Sequence, residues 1–403
     1  MKPDAIDLYR KAAAQELKEI LEWWMQNMPD DADGFHGSID WKGKIDEDAP
    51  RGLVLYSRIL WTFSAAYIQQ AEKPYLQMAE RAFNYLLKYF TDETFGGMYW
   101  SVNRYGKIAE DKKQVYGLAF AVYGLSEFYK ATGNSNALLR AIDLYNVIEE
   151  NNIHTLGGGY LEVFSRLWKP QGDLRLSEKD ANEKKSMNTH LHVLEAYCNL
   201  YRIWKNEKLA EAIVQLLVLF DKYIIDKETF TQQLFFSEDW QPKSSIISYG
   251  HDIEASWLLY EAALLLEDNR LIDHWKGIAV NMARASIKGL DKDGGMWYEK
   301  EGAHLVKEKH WWPQAEAMVG YLNAWQLSND ERFYHLSANS FEFIKAGIKD
   351  QQNGEWYWGI DEEKNIIKKE KAGFWKCPYH NGRACMEIYH RLENIIPQAS
   401  QSN

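Results

Sequence analysis

The stretch YGHDIEASWLLYEAALLLEDNRLIDHWKGIAVNMARASIKGLDKDGGMWYEK, Tyr249 to Lys300, holds one copy of every element that decides the fold. Its first part, HDIEASWLLYEAALLL, is rich in small residues and rings and has little charged face, as expected of a helix surrounded by other helices. A second helical stretch begins near Leu271 and carries charged residues on one face and Leu, Ile and Val on the other. The unit ends on GGMWYEK, a glycine turn followed by an aromatic, strand-like run.

The same ending recurs along the chain. It reads GFHGSIDW at Gly34 to Trp41, FGGMYWSV at Phe95 to Val102, LGGGYLEVF at Leu156 to Phe164 and NGEWYWGI at Asn353 to Ile360. A glycine-poor variant, TFTQQLFFSEDW, occupies Thr229 to Trp240. Copies spaced roughly 60 to 70 residues apart imply six units, each a helix pair with a loop or small hairpin.

Amphipathic helices begin near Ile6, Tyr75, Asn136, Lys208, Leu271 and Arg332 and read as an outer ring. Their apolar counterparts begin near Ser57, Gln114, Met187, Gly250, Trp312 and Pro378 and read as an inner ring. Twelve alternating helices predict an all-α fold, an (α/α)6 barrel with short hairpins or loops at one end. An open superhelical array of helix pairs would use the same local pattern. No Pro/Ser-rich linker interrupts the units, so one catalytic domain is expected over residues 1–393, followed by a frayed tail over 394–403.

Composition narrows the function. A net charge of -11, without a run of Lys and Arg, argues against a nucleic-acid partner. No apolar run approaches twenty residues and the start has no secretory pattern, so a cytoplasmic protein is expected. Three scattered cysteines, Cys198, Cys377 and Cys385, indicate neither a disulfide framework nor a zinc ribbon. The 17 Trp and 24 Tyr exceed what packing needs and suggest a stacking surface for a neutral small molecule. A monomer or weak homodimer is expected.

Unusual polar residues gather in the first turns of the inner helices: Arg58, Tyr116, Asn188 and His192, His251 and Glu254, Glu316, then His380 and Arg383. If these helices run parallel, their starts converge on one mouth, where positive helix ends favour a developing anion. Trp311, Trp312, Trp375 and Tyr379 stand at the same entrances as candidate sugar platforms. His251 and Glu254 share a helix face at i, i+3, which suits a metal or a histidine held by a carboxylate. The absence of HExxH and of paired cysteines weighs against zinc, and no nucleotide loop follows the glycines at 157–159. His190 points away from Asn188 and His192 and reads as structural. Asp180, in a charged loop, is a weaker candidate for reaching a substrate.

The segments SRILWTFS at Arg58, MNTHLHVLEAY at Met187 to Tyr197, YGHDIEASWLL, KHWWPQAEAM at Lys309 to Met318 and FWKCPYHNGR at Phe374 to Arg383 resemble the N-acylglucosamine 2-epimerase superfamily. Within it they look most like the cellobiose 2-epimerases, through nearly the whole chain. That resemblance implies inversion at C2 of an open-chain aldose through a cis-enediolate, without a cofactor. It implies His251 and His380 as acid/base groups and Arg58 on the enediolate oxygens. His192 would serve ring opening or O1, Asn188 the hydroxyls, Glu254 the orientation of a histidine, and Trp312 and Trp375 the sugar rings. Two histidines suit a proton transfer near neutral pH, and an arginine suits the anion between them. An aldose-ketose isomerase of the mannose isomerase type and an N-acylglucosamine 2-epimerase remain alternatives. A glycoside hydrolase would need two flanking carboxyl groups, for which Glu254 and Glu316 are available.

Overall fold

Residues 3–152 and 156–395 are described in the computed structural model; most of the expected tail, 396–403, lies outside the described residues. Twelve α-helices alternate between two rings. The outer ring comprises α1 (Pro3–Asn27), α3 (Lys73–Tyr85), α5 (Ser135–Asn152), α7 (Glu207–Leu219), α9 (Asn269–Ser286) and α11 (Glu331–Phe343). The inner ring comprises α2 (Leu53–Gln70), α4 (Val115–Thr132), α6 (Met187–Ile203), α8 (Tyr249–Leu265), α10 (Trp311–Ser328) and α12 (Tyr379–Glu393). The burial patterns separate the rings. In α4 every residue from Val115 to Phe128 is buried, whereas α3 buries only Tyr75, Met78, Ala79, Ala82, Phe83 and Tyr85, a single stripe.

Each inner helix packs on the next, α2 on α4 through α10 on α12, and α12 returns to α2. This last contact closes the ring and removes the open array. Glycine permits close approach between inner helices: a Cβ on Gly124 of α4 would lie 2.6 Å from the Ser57 carbonyl oxygen of α2. Helix α1 locks the first unit to the last, with Trp356 Nε1 donating to Glu16 (2.7 Å) and Lys349 to the same carboxylate (2.6 Å). Helix α2 begins four residues before Ser57, because the preceding LVLY run is apolar at every position and shows no period. Extended Gly52 marks the true start.

The short strands lace one mouth of the barrel. The two or three residues before each of α2, α4, α6, α8 and α10 pair antiparallel with those just after the turn of the next unit. Arg51–Gly52 meets Ser101–Val102, Lys113–Gln114 meets Val163–Phe164, and Lys185–Ser186 meets Phe235–Phe236. Ile246–Ser248 then meets Glu299–Glu301, Lys309–His310 meets Gly359–Ile360, and Ala372 bridges back to Ile39. Buried cations on these strands hold the turns: Arg51 pairs with Asp30 (2.6 Å), Lys113 with Asp92 (2.9 Å), Lys309 with Asp291 (2.7 Å) and Lys371 with Asp350. Each aspartate also accepts backbone N–H groups of its own turn, as Asp92 does from Thr94 and Phe95. The lacing fixes the N-terminal ends of the inner helices, where the unusual polar residues lie.

Candidate active site

A cavity of about 480 Å³ opens at the laced mouth, within the range of small-molecule sites. Arg58 comes from α2, Tyr116 from α4, Asn188 and His192 from α6, His251 and Glu254 from α8, Trp311 and Trp312 from α10 and His380 from α12. Trp375, just before α12, completes the set, so six inner helix starts converge on one volume. Glu316 is the exception. Expected to bind substrate, it is fully buried, lies outside the lining and sits behind His380. The cause is its place one helical turn beyond Trp312, where α10 is already covered by α8 and α12.

Behind the cavity the side chains form a layer organised by Arg383. Its Nη2 donates to both Glu254 Oε1 (2.8 Å) and Glu316 Oε1 (2.6 Å), and its Nη1 bonds Glu195 and the Tyr379 hydroxyl. Glu316 accepts from His380 Nδ1 (2.7 Å) and Trp257 Nε1 (3.2 Å). Glu195 accepts from His192 Nδ1 (2.9 Å) and from the Tyr379 hydroxyl (2.6 Å). Two histidines thus have Nδ1 engaged by a carboxylate, which leaves Nε2 available to the cavity. His251 differs: its Nδ1 meets the Ser248 hydroxyl at 2.8 Å, and its ring lies 4.6 Å from that of Trp312. The i, i+3 spacing of His251 and Glu254 therefore does not make a dyad; Glu254 turns to Arg383 and lies 3.9 Å from His380 Nδ1.

Arg58 is 3 % exposed and has no carboxylate partner among the described residues. It donates to the Tyr116 hydroxyl (2.8 Å) and the Trp375 carbonyl (3.2 Å), and its guanidinium lies 4.2 Å from the Phe120 ring and 4.8 Å from the Tyr379 ring. Its Nε has no partner among the described residues. A buried cation compensated by rings, neutral oxygens and the Cys377 thiol has unspent capacity for an anion. Burial, with Arg58 and Arg383 nearby, holds His380 well below the usual histidine range, and burial brings His251 down to about 3. Burial also lowers His192, against Glu195. Burial thus favours the neutral form of all three imidazoles in the open cavity. Despite burial, Arg383 and His192 keep Glu195 at about 2.

Several lining residues escaped the sequence reading. Glu162, Tyr298, Glu299 and Trp358 face the cavity, and Asp180 does too, on a loop spanning 174–183. Glu162 accepts from Ser186 N (2.7 Å) and the Thr189 hydroxyl (2.6 Å), and burial pushes it up to about 8. Tyr379 is fully buried beneath Arg58 and offers no platform. Four of the 17 tryptophans reach the cavity, while others, such as Trp24, Trp275 and Trp356, fill the core, so the abundance of rings is mostly a packing feature. His190 is structural: its Nε2 accepts from Tyr160 N at 2.9 Å. Among the described residues, Glu254, Glu316 and His380 have ligand atoms within 4.8 Å of one another, but Arg383 already supplies the positive charge between the carboxylates.

The N-acylglucosamine 2-epimerase family profile matches residues 34–384, and the chain belongs to that family. Over 387 residues it is 47% identical to a cellobiose 2-epimerase of Bacteroides fragilis, covering 95% of this chain and 99% of that protein. A cellobiose 2-epimerase of Dictyoglomus turgidum is 37% identical, with coverage of 93% and 96%. The structure of cellobiose 2-epimerase from Bacillus thermoamylovorans B4167 matches with a TM-score of 0.91 at 38% identity, covering 96% of this chain and 100% of that one. No described helix is long and apolar enough to cross a membrane.

Proposed function

We propose that the protein reversibly epimerises C2 of the reducing-end aldose of a β-1,4-linked disaccharide, converting cellobiose to glucosyl-mannose and acting on lactose-like sugars. The observation that carries this reading is Arg58, a buried cation with no carboxylate partner among the described residues, in a cavity that His251 and His380 line from separate helices. In the open-chain sugar the C1 carbonyl acidifies the C2 proton. One histidine of the pair His251 and His380 takes that proton; the C2–H electrons form the C1–C2 double bond and the carbonyl electrons move onto O1. Arg58 and the inner helix N-termini stabilise the resulting cis-enediolate. The other histidine, neutral in the open cavity, takes up a proton from solvent as the substrate binds, returns it from the imidazolium to the opposite face, and the carbonyl re-forms. The two histidines exchange protonation states in each turnover, so the reverse reaction uses the same groups.

His192, held by Glu195, is placed to serve ring opening at O1, and Asn188, with a free Oδ1, to meet a hydroxyl. Trp312 and Trp375 are the sugar platforms, with Tyr116 and Trp311 beside them. No metal or redox cofactor enters this scheme, because Arg58 supplies the charge. A cytoplasmic monomer or weak homodimer belongs to the same reading; the three free, buried thiols support its reducing compartment.

Incubation of EDTA-treated protein with cellobiose in deuterated water is the test. Glucosyl-mannose carrying deuterium at C2 is expected. A ketose product would instead establish the mannose isomerase type, and turnover confined to N-acetylglucosamine the N-acylglucosamine 2-epimerase. Free glucose would mark a hydrolase, which the site disfavours: Glu254 and Glu316 bond the same nitrogen of Arg383 and so cannot flank a glycosidic bond.

A further inference from the structure

Three carboxyl groups, Glu195, Glu254 and Glu316, converge on Arg383, and they are not equivalent. Glu195 and Glu316 are each saturated with donors: Arg383, His192 and Tyr379 for the first, Arg383, His380 and Trp257 for the second. Among the described residues Glu254 receives one donor, Arg383, on Oε1, while its buried Oε2 has no partner. Glu254 is also the member of Glu254 and Glu316 that lines the cavity.

Two carboxylates bonded to the same guanidinium nitrogen repel one another, and in a buried site such a pair retains a proton. The proton settles where donors are fewest, because a carboxylate stripped of water needs several N–H or O–H groups to remain charged. The charged and titratable neighbours fit this account: Glu195 and His192 from α6, His251 beside it on α8, Glu316 from α10, Tyr379, His380 and Arg383 from α12, Arg58 from α2 and Tyr116 from α4. Two arginines against three carboxyl groups leave one negative charge in excess, and a single proton neutralises the layer.

We propose that Glu254 works as a neutral carboxylic acid whose Oε2–H donates a hydrogen bond to the oxygen of the open-chain sugar that gains charge as the enediolate forms. Arg58 and Glu254 then hold the anion together, one by charge and one by a proton that stays on Oε2. This inference rests on the epimerase reading for its substrate, while the protonation state of Glu254 stands independently.

Glu254→Gln keeps a neutral side chain with an N–H donor, whereas Glu254→Ala removes the donor. With cellobiose as substrate, Glu254→Gln is expected to retain kcat/KM within about tenfold of the parent and Glu254→Ala to lose roughly 100-fold or more, the usual cost of deleting a donor to a developing oxyanion. Infrared difference spectra of the free protein at neutral pH should show a protonated-carboxyl band in the parent that Glu254→Gln lacks. No difference in that region overturns the proposal, as does a Glu254→Gln variant as impaired as Glu254→Ala. If the parent does not turn over cellobiose, the epimerase reading fails, and the infrared measurement still decides the state of Glu254.

Discussion

Glu316 Oε1 lies 2.7 Å from Nδ1 of His380, joining α10 to α12 across 64 residues of sequence. The contact fixes the imidazole plane and directs Nε2 to the cavity. Glu316→Gln keeps the volume but removes the charge, so kcat for epimerisation is expected to fall about 10- to 100-fold with little change in KM. His380→Ala should abolish turnover while the circular dichroism spectrum stays helical. Unchanged kinetics in either variant would remove His380 from the reaction.

Arg58 offers a planar fork between the Tyr116 hydroxyl and the Trp375 carbonyl. Lysine supplies charge without that geometry or the stacking on Phe120. Arg58→Lys should therefore lower kcat by about 10²- to 10³-fold, the scale of losing an oxyanion contact. Steady-state assays of the purified variant decide this.

Asp252 is fully buried, and its one ligand set is Gln232, whose N and Nε2 donate to Oδ1 (2.8 and 3.3 Å). Burial raises its carboxyl from 3.8 to about 7. The folded state then binds the proton more tightly than the unfolded chain, so stability declines as pH rises through this window, by up to about 1.4 kcal/mol per unit. Asp252→Asn, which keeps the acceptor, should raise the Tm at pH 8 and leave it nearly unchanged at pH 4. Equal effects at both values would contradict the assignment.

Glycines in the two rings should respond oppositely to alanine. Gly124→Ala drives a methyl into the Ser57 carbonyl oxygen and should cost about 1–3 kcal/mol. Gly277 lies on exposed α9 with nothing within 4 Å of its Cβ, so Gly277→Ala should stabilise by up to about 1 kcal/mol. Thermal melts of the pair test the inner and outer assignment directly.

Much of the barrel was legible because a helix-pair repeat writes its own period. Predicted helix starts fall within four residues of those observed; the largest displacement is at α2, where an all-apolar run has no period to read. A further repeat was available: Asp30 and Arg51, Asp92 and Lys113, and Asp350 and Lys371 are each 21 residues apart, a spacing that marks the clamp on three of the glycine turns, while Asp291 and Lys309 are 18 apart. His192 and Glu195 carry the same i, i+3 signal as His251 and Glu254, and in their case the spacing makes a dyad.

The sequence by itself determined which helices are buried, where each begins and which polar residues stand near those beginnings, since these follow from local periodicity. Ring closure, the Arg383 layer and the exchange by which Glu316 rather than Glu254 bonds His380 were decided only in three dimensions. Arg383 reaches Glu254 across 129 residues and Glu195 across 188, distances at which no periodicity operates. Which carboxylate faces an imidazole depends on how adjacent inner helices are rotated and packed, a property of the closed ring rather than of any segment.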